Sequence, residues 1–444
     1  SSAVPLEQSR RELGMSATTT PSQDPTAPDG SRDVRRNLFA TVSDGAFANP
    51  AFALTGEVFR TVFFNLVLAS SASAQALFKT ILGALAGAEL FFWSLPTFIA
   101  VWAMSAAQRK ARAVFVLGWI CRLKVFAFLV GASLAPVASP QTVLIVIFSI
   151  YLVGQIAEGA NVPIWSVYTG SLFPPGMLGR VYGNRSLFGG IFGIVALLLA
   201  YALMAHPRLQ ALFPYPANFI VIFAAASFFS LLSQVSLIFT VEKRYSDNGS
   251  RRAPLFRFAK DWWQHGKTHR DTRIVAFTFM LERLSVFGAM PFITVRLLSI
   301  CDFSAHPDGV HILYNWRIPS AGEIGLIVTL AFFIGLAVFG RLTGRVIDQF
   351  GYRAWRLVNS SIRIISFGLL LATDTPLPLM IAVVLQGGCI GGGWTGFFTI
   401  VRSMAGDADR MKCPLWLMLS VIPAASAGLF AGILAYRYGL TVNF

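Results

Sequence analysis

Several ionisable residues stand inside long apolar runs of this chain: Glu57, Arg60, Glu89, Arg122, Lys124, Glu158, Glu282, Arg283 and Arg363. A charge at the centre of a helix in hydrocarbon costs roughly 2.5–3.5 kcal/mol, so each must face protein or water. The chemistry open to such groups is proton carriage, ion pairing or recognition of a polar solute. Glu57 and Arg60 lie three apart and can pair on one helical face. Glu158 stands near the middle of its run with no basic residue in that run, and a carboxyl so placed can take up and release a proton, so it is the expected coupling residue. Other chemistries fail on inspection. Gly266-Lys267-Thr268 has the end of a phosphate-binding loop, but Asp261 stands where the leading glycine is required. His265 and His269 are spaced i, i+4 without the glutamate of a zinc-protease helix, and Cys121, Cys301, Cys389 and Cys413 form no metal-ligand pattern. No G-x-S-x-G or H-E-x-x-H occurs. No cofactor or metal is expected, and an enzymatic reading, such as a lipid-modifying protein, has the least support.

The elements that must position these residues follow from composition. The chain has 444 residues, 55% hydrophobic and 13% charged, with mean hydropathy +0.63. Soluble domains carry roughly 25% charged residues, so the apolar surplus must face lipid. Runs long enough to cross about 30 Å of hydrocarbon, about 20 residues each, fall at 46–69, 78–105, 113–136, 142–170, 187–205, 217–241, 273–300, 323–345, 355–373, 377–402 and 414–436. Eleven transmembrane helices are expected. Period-2 alternation is missing, which excludes a β-barrel.

The net charge of +15 is spread over short loops rather than one patch, so it describes membrane topology and not a nucleic-acid footprint. Most basic residues fall in alternate loops, which places the N-terminus of this multi-pass chain in the cytoplasm; the arginine-heavy basic usage points to a cell (inner) membrane. Residues 1–44 are polar, without the apolar core of a signal peptide, and read as a disordered cytosolic tail. The basic, Trp-bearing stretch 242–272 reads as a cytosolic linker, either solvated or lying on the anionic leaflet. It divides an N-terminal bundle, 45–241, from a C-terminal one, 273–444. The halves repeat: the small-residue spine Gly154–Asn161 returns at Gly387–Trp394, and Asp44/Glu57 returns at Asp271/Glu282. By this repeat a twelfth helix would begin near 447, beyond Phe444, so the C-terminal bundle is expected to hold five helices and to lack its last.

The most specific motif is Gly344-Arg345-Val346-Ile347-Asp348-Gln349-Phe350-Gly351-Tyr352-Arg353, with spacing G-x-x-x-D-x-x-G-x-R. Gly344 allows a neighbouring helix to approach, Asp348 can cap a helix N-terminus or pair with Arg353, and Gly351 supplies a turn with φ > 0. This loop resembles the signature loop of the major facilitator superfamily, which recurs between the second and third helices of each half. The other copy, Ser105–Arg112, keeps the basic end in Arg109 and Lys110 but lacks the acid and both glycines. Pro174–Arg185, followed by Gly189, Gly190 and Gly193, looks like the loop and fifth helix of such proteins. The resemblance covers 44–437 and implies two bundles whose first, fourth, seventh and tenth helices line a central cavity. It therefore points to Glu57, Arg60, Asn65, Gln155, Asn161, Glu282, Arg283, Gln386 and Trp394 as substrate-facing, with Glu158 as the proton carrier. Gly344, Asp348, Gly351, Arg353, Arg109 and Lys110 become gating residues. The third and ninth helices are support helices in such a fold, so Arg122, Lys124 and Arg363 are expected to pair between helices or snorkel.

The resulting expectation is a secondary active transporter of a small polar or amphoteric organic solute, working by alternating access and driven by protons, with the lipid bilayer as its surroundings. The alternative is a non-transporting relative serving as an assembly factor or accessory subunit of a larger membrane complex, which the degraded first loop favours.

Overall fold

The computed structural model describes residues 30–56, 63–64, 67, 91–107, 109–174, 176–242, 253–284, 310–313, 316–318, 321–373, 375–404, 412–419 and 421–423. Helix α1 is Gly30–Thr55, and a helical turn at 91–94 breaks at Pro96 before α2, Thr97–Met104. α3 (Ala111–Cys121) and α4 (Leu123–Leu134) form one span, followed by α5 (Pro140–Leu172). Ser139 caps α5 by accepting from the Thr142 amide, and Pro140 at the first turn needs no donor. α6 (Leu178–Ala205), the short α7 (Pro207–Leu212) and α8 (Ala217–Ser236) complete the first half. α9 (Leu255–Thr268) and α10 (270–284) follow, then α11 (Ala321–Ala372), α12 (Pro376–Met404) and α13 (Lys412–Leu419). A small antiparallel hairpin, β1 (Val310–Leu313) with β2 (Trp316–Ile318), pairs Val310 with Ile318.

Among the described residues six helical stretches are long and apolar enough to cross a membrane, with the 47-residue stretch Leu326–Ala372 taken as one. At 1.5 Å per residue that stretch measures about 70 Å, more than twice the hydrocarbon thickness, so it must cross twice. Gly351, at φ +80°, is the break that permits it. The expected spans 46–69, 78–105, 273–300 and 414–436 fall partly outside the described residues.

In the first half α1 packs on α6 and α8, and α5 packs on α2, α3 and α4; in the second, α11 packs on α12. The halves meet chiefly where α6 runs against α11. Glycine makes this close approach possible: a Cβ on Gly344 would lie 2.1 Å from the Gly179 carbonyl oxygen, and one on Gly190 would lie 2.5 Å from the Ala337 Cβ. Small residues are the usual means by which membrane helices pack this closely.

Two boundaries differ from the sequence expectation. Residues 30–44, assigned to a disordered tail, form the first turns of α1, where Asn37, Ala40, Thr41 and Asp44 are buried. The Asn37 amide group holds α1 to the end of the first half, donating to the Val241 carbonyl at 3.1 Å and accepting from the Val241 amide at 2.7 Å. Polar composition suggested a tail because this face meets polar backbone ends rather than lipid. The linker 242–272 in turn contains α9. Phe258, Trp262 and His265 recur on one face of it, which is turned inward, while Phe256, Arg257, Lys260 and Trp263 point outward.

Candidate functional site

The ends of α6 and α11 that carry the basic loops hold the signature motif. The Asp348 carboxylate accepts from the Gly179 amide at 3.1 Å and the Arg180 amide at 2.8 Å, so it caps the N-terminus of α6, an element of the other half. Of the two roles open to Asp348, capping is the one adopted. An anionic acceptor satisfies two otherwise orphaned amides and complements the helix dipole. Gly344 lets α6 come close enough for these bonds, and Gly351 turns the chain just after Asp348. Beside the latch, Arg180, Arg341, Arg345 and Asp348 line a cavity of about 330 Å³.

The degraded first copy is built differently. Glu242, from the end of the first half, accepts from the Lys110 amide at 2.9 and 3.0 Å and from the Ala111 amide at 2.9 Å, capping α3 within its own bundle. Lys110 is buried and its Nζ donates to the Ala107 carbonyl, whereas Arg109 is exposed. No carboxylate from this loop reaches the other half among the described residues. An aromatic strap stands there instead. Phe98 of α2 meets Phe258 and Trp262 of α9, the Trp102 indole donates to the Ala253 carbonyl, and the Trp416 indole of α13 stacks on Trp262 while donating to its carbonyl at 3.0 Å. α9 thus ties α2 to α13.

Within the first half, Asp44 is the centre of a polar network. Arg185 donates to it at 2.9 and 3.2 Å, and the Ser233 hydroxyl donates at 2.6 Å. Arg122 stands 3.8 Å from Asp44 and donates to Ser233 Oγ at 2.7 Å and to the Ser230 carbonyl at 3.1 Å. Lys124 Nζ is bonded to Glu158 Oε2, joining α4 to α5 through a half-buried pair. Glu158 therefore has a cationic partner, supplied by a neighbouring helix.

In the second half Glu282 receives Arg363 at 2.9 Å and Arg356 at 3.1 Å. Its carboxylate lies against α12 at Gly393, where a Cβ would stand 2.9 Å from Oε1. Arg283, the next residue, has a different fate. Its guanidinium sits 4.6 Å from the Phe279 ring centroid and 4.8 Å from that of Trp394, and its buried Nε has no hydrogen-bond partner. Trp394 in turn meets Trp93 of the first half edge to face at 5.9 Å. Next to it Phe398 stacks on Tyr182 of α6 at 4.6 Å and meets Trp165 of α5 at 4.7 Å. These rings close the seam between the halves below the latch.

The expected site residues are thus distributed unevenly. Arg283 and Trp394 are brought together, and Glu282 adjoins them. Gln386 is fully buried on α12 with neither amide atom bonded, and the Asn161 Oδ1 is likewise buried without a partner. Gln155 is buried on α5. Glu57, Arg60 and Asn65 lie outside the described residues, as does Glu89. Arg353 lies on the outer surface past the turn and makes no contact with Asp348 of the kind foreseen as the alternative. Arg122, Lys124 and Arg363 pair between helices as expected. Asp44, Arg185, Ser233 and Glu242 went unrecognised. The spacing Asn37, Thr41, Asp44, one helical face, was the available signal for the first of them.

No family sequence model matches the chain, and no curated protein is similar enough in sequence to match it. Solved structures do match. The human organic anion transporter MFSD10 (TETRAN) superposes with TM-score 0.60 at 13% identity, covering 92% of this chain and 96% of that one. The proton:xylose symporter XylE superposes with TM-score 0.60 at 11% identity over 93% of this chain and 97% of that one. The E. coli fucose:proton symporter FucP gives TM-score 0.51 at 14% identity over 91% and 97%. Together with the two-half architecture, the motif loop and its glycine-lined seam, these superpositions identify the polytopic chain as having the fold of the major facilitator superfamily.

Proposed function

We propose that this protein is a secondary active transporter that moves a small organic solute by alternating access, with the N-terminus and the basic loops on the cytoplasmic side of a cell membrane. The observation that carries the reading is the seam between the halves. It is closed at the basic end by contacts that can separate as units: two amide bonds to Asp348, a row of glycine approaches and a set of rings. Among the described residues, buried polar atoms of Gln386, Asn161 and Arg283 are left without hydrogen bonds. Buried polar groups are nearly always satisfied, and a bound solute would satisfy these. Organic-solute transport by the matched proteins agrees with this reading.

Proton coupling is assigned to the Lys124–Glu158 pair. A carboxylate that takes up a proton no longer compensates its lysine, whose charge is then left unpaired between helices, and this can link protonation to helix movement. Purified protein in proteoliposomes, given an imposed pH gradient and a panel of labelled sugars, carboxylates and amines, tests both claims. Gradient-driven accumulation is expected for wild type and its loss for Glu158→Gln, with downhill exchange retained. Unchanged gradient-driven uptake by Glu158→Gln would remove the coupling assignment.

The absence of an acid in the loop around Arg109 and Lys110 favours the second reading, an accessory subunit. Stoichiometric co-purification with a larger complex, with no solute altering thermal stability, would establish that reading in place of transport.

A further inference from the structure

Three arginines, Arg283, Arg356 and Arg363, stand near a single carboxylate, Glu282, among the described residues. Glu282 is occupied by the other two, at 3.1 and 2.9 Å. Consecutive residues on a helix point about 100° apart, so Arg283 is directed away from the pair its neighbour makes. It is only 6% exposed, and among the described residues it has no ion pair and keeps a buried Nε without a partner. Its guanidinium lies over the rings of Phe279 and Trp394. Cation–π contacts fix where the guanidinium lies, but they do not neutralise its charge or use its in-plane donors. Trp394 is also the ring that meets Trp93 across the seam, so the unpaired cation lies one aromatic ring from the boundary between the halves.

A buried charge without a counter-ion is ordinarily selected against, since replacing it with an apolar residue of similar size relieves the desolvation cost. Its presence at the seam requires a partner that comes and goes. We propose that the transported solute carries a negative charge, as a carboxylate or phosphate on an organic body, and that Arg283 is its receptor, with Phe279 and Trp394 as the walls that hold the guanidinium edge toward it. The planar donor fork of arginine suits either oxyanion. The unsatisfied Gln386 amide, also on α12, is available for the polar remainder of the solute. This inference rests on the transport reading, and it narrows the expected polar or amphoteric solute to an anion.

The test uses the full chain in lipid nanodiscs and reads thermal stability with three probe pairs: benzoate against benzamide, succinate against succinamide, and glucose 6-phosphate against glucose. At least one anion is expected to raise the Tm of wild type while its neutral counterpart does not. Arg283→Lys should weaken that anion's apparent affinity at least ten-fold, because a point charge replaces a fork, and Arg283→Met should abolish the response. In the absence of any probe Arg283→Met should itself raise the Tm, by a few degrees, about 2–4 °C, whereas Arg363→Met, which breaks a formed ion pair, should lower it. A merely structural arginine would give the opposite sign at position 283. The proposal is overturned if each anion acts no differently from its neutral counterpart, if Arg283→Met keeps the anion response, or if Arg283→Met destabilises the ligand-free protein as Arg363→Met does. Should Arg283→Met fail to fold, that is itself the destabilising outcome, and Arg283→Lys still reports the affinity. Anion binding through Arg283 without uptake in proteoliposomes would refute transport and leave the receptor standing. Uptake of a neutral sugar with no anion response would do the reverse.

Discussion

Replacing Asp348 by asparagine keeps the shape of the latch and removes its charge. The carboxylate accepts two amides, from Gly179 at 3.1 Å and Arg180 at 2.8 Å. Hydrogen bonds to charged groups contribute roughly 1.5–3 kcal/mol each, and an anion at a helix N-terminus adds about 0.3–1 kcal/mol. Asp348 is on the surface of the seam, so the lower ends apply and the latch contributes about 3.3 kcal/mol. Asparagine can present one oxygen to one amide, a neutral bond of about 1 kcal/mol, and turns a donor toward the other. The loss is therefore about 2–2.5 kcal/mol, which at 1.4 kcal/mol per decade is roughly thirty-fold or more in the opening equilibrium. Amide hydrogen exchange reads this directly, since the Gly179 and Arg180 amides exchange only when the latch opens. Their protection should fall by about thirty-fold in Asp348→Asn, while amides deep in the same helix, from Gly193 to Leu199, stay within about two-fold of wild type. Asp348→Glu, which keeps the charge on a longer stem, should lose less. An unchanged exchange rate at Gly179 and Arg180 would mean that the latch carries no free energy and that the seam is held by the glycine contacts alone.

Further predictions concern the network, the seam and the strap. Asp44→Asn leaves Arg185 and Arg122 facing an amide; because those arginines are about a fifth exposed, the loss falls at the low end of the usual range, about 3 kcal/mol. Thermal denaturation should show it, and Arg185→Met in the same chain should recover part. Gly344→Ala places a methyl 2.1 Å from the Gly179 carbonyl oxygen; the overpacking, about 1–3 kcal/mol, should hold the basic end open. A cysteine at Asn184 in a Cys301→Ser background would then react at least about five-fold faster with a water-soluble maleimide, each 1.4 kcal/mol being a decade. Equal reactivity would show that the seam adjusts without separating. Gly266→Leu would set its Cβ 1.9 Å from the Trp416 ring. It should displace α9 and increase proteolytic cleavage between 243 and 270, with the Tm of the bundles little changed.

How much of this was legible depended on whether a residue's role is local. The two-half organisation, the places of α5, α8 and α12 and the turn at Gly351 follow from hydropathy and from glycine, properties that a short window contains. The tail boundary failed because amphipathic turns packed on other helix ends look polar, and Asn37, Thr41 and Asp44 have no partner within their own segment. Glu158 looked solitary for the same reason: Lys124 is 34 residues away in sequence. The replacement of a missing acid by Glu242, 132 residues from Lys110, could not be read from either loop. Trp262 was noted as a linker tryptophan, yet the ring it stacks on belongs to α13.

By itself the sequence determined that lipid is the solvent, because 13% charged residues cannot cover a soluble fold of this length. It also determined which acids and bases stand inside the helices and which loop has the spacing of a gate. Only the tertiary structure decided how those charges are shared. Asp348 caps the other half, Glu158 has Lys124, Glu282 holds two arginines, and Arg283 has no carboxylate partner among the described residues. The reason is physical. Burial cost is set by a residue's own chemistry and depth, which sequence records, whereas compensation depends on which side chain from a distant helix arrives within about 3 Å, and only packing fixes that.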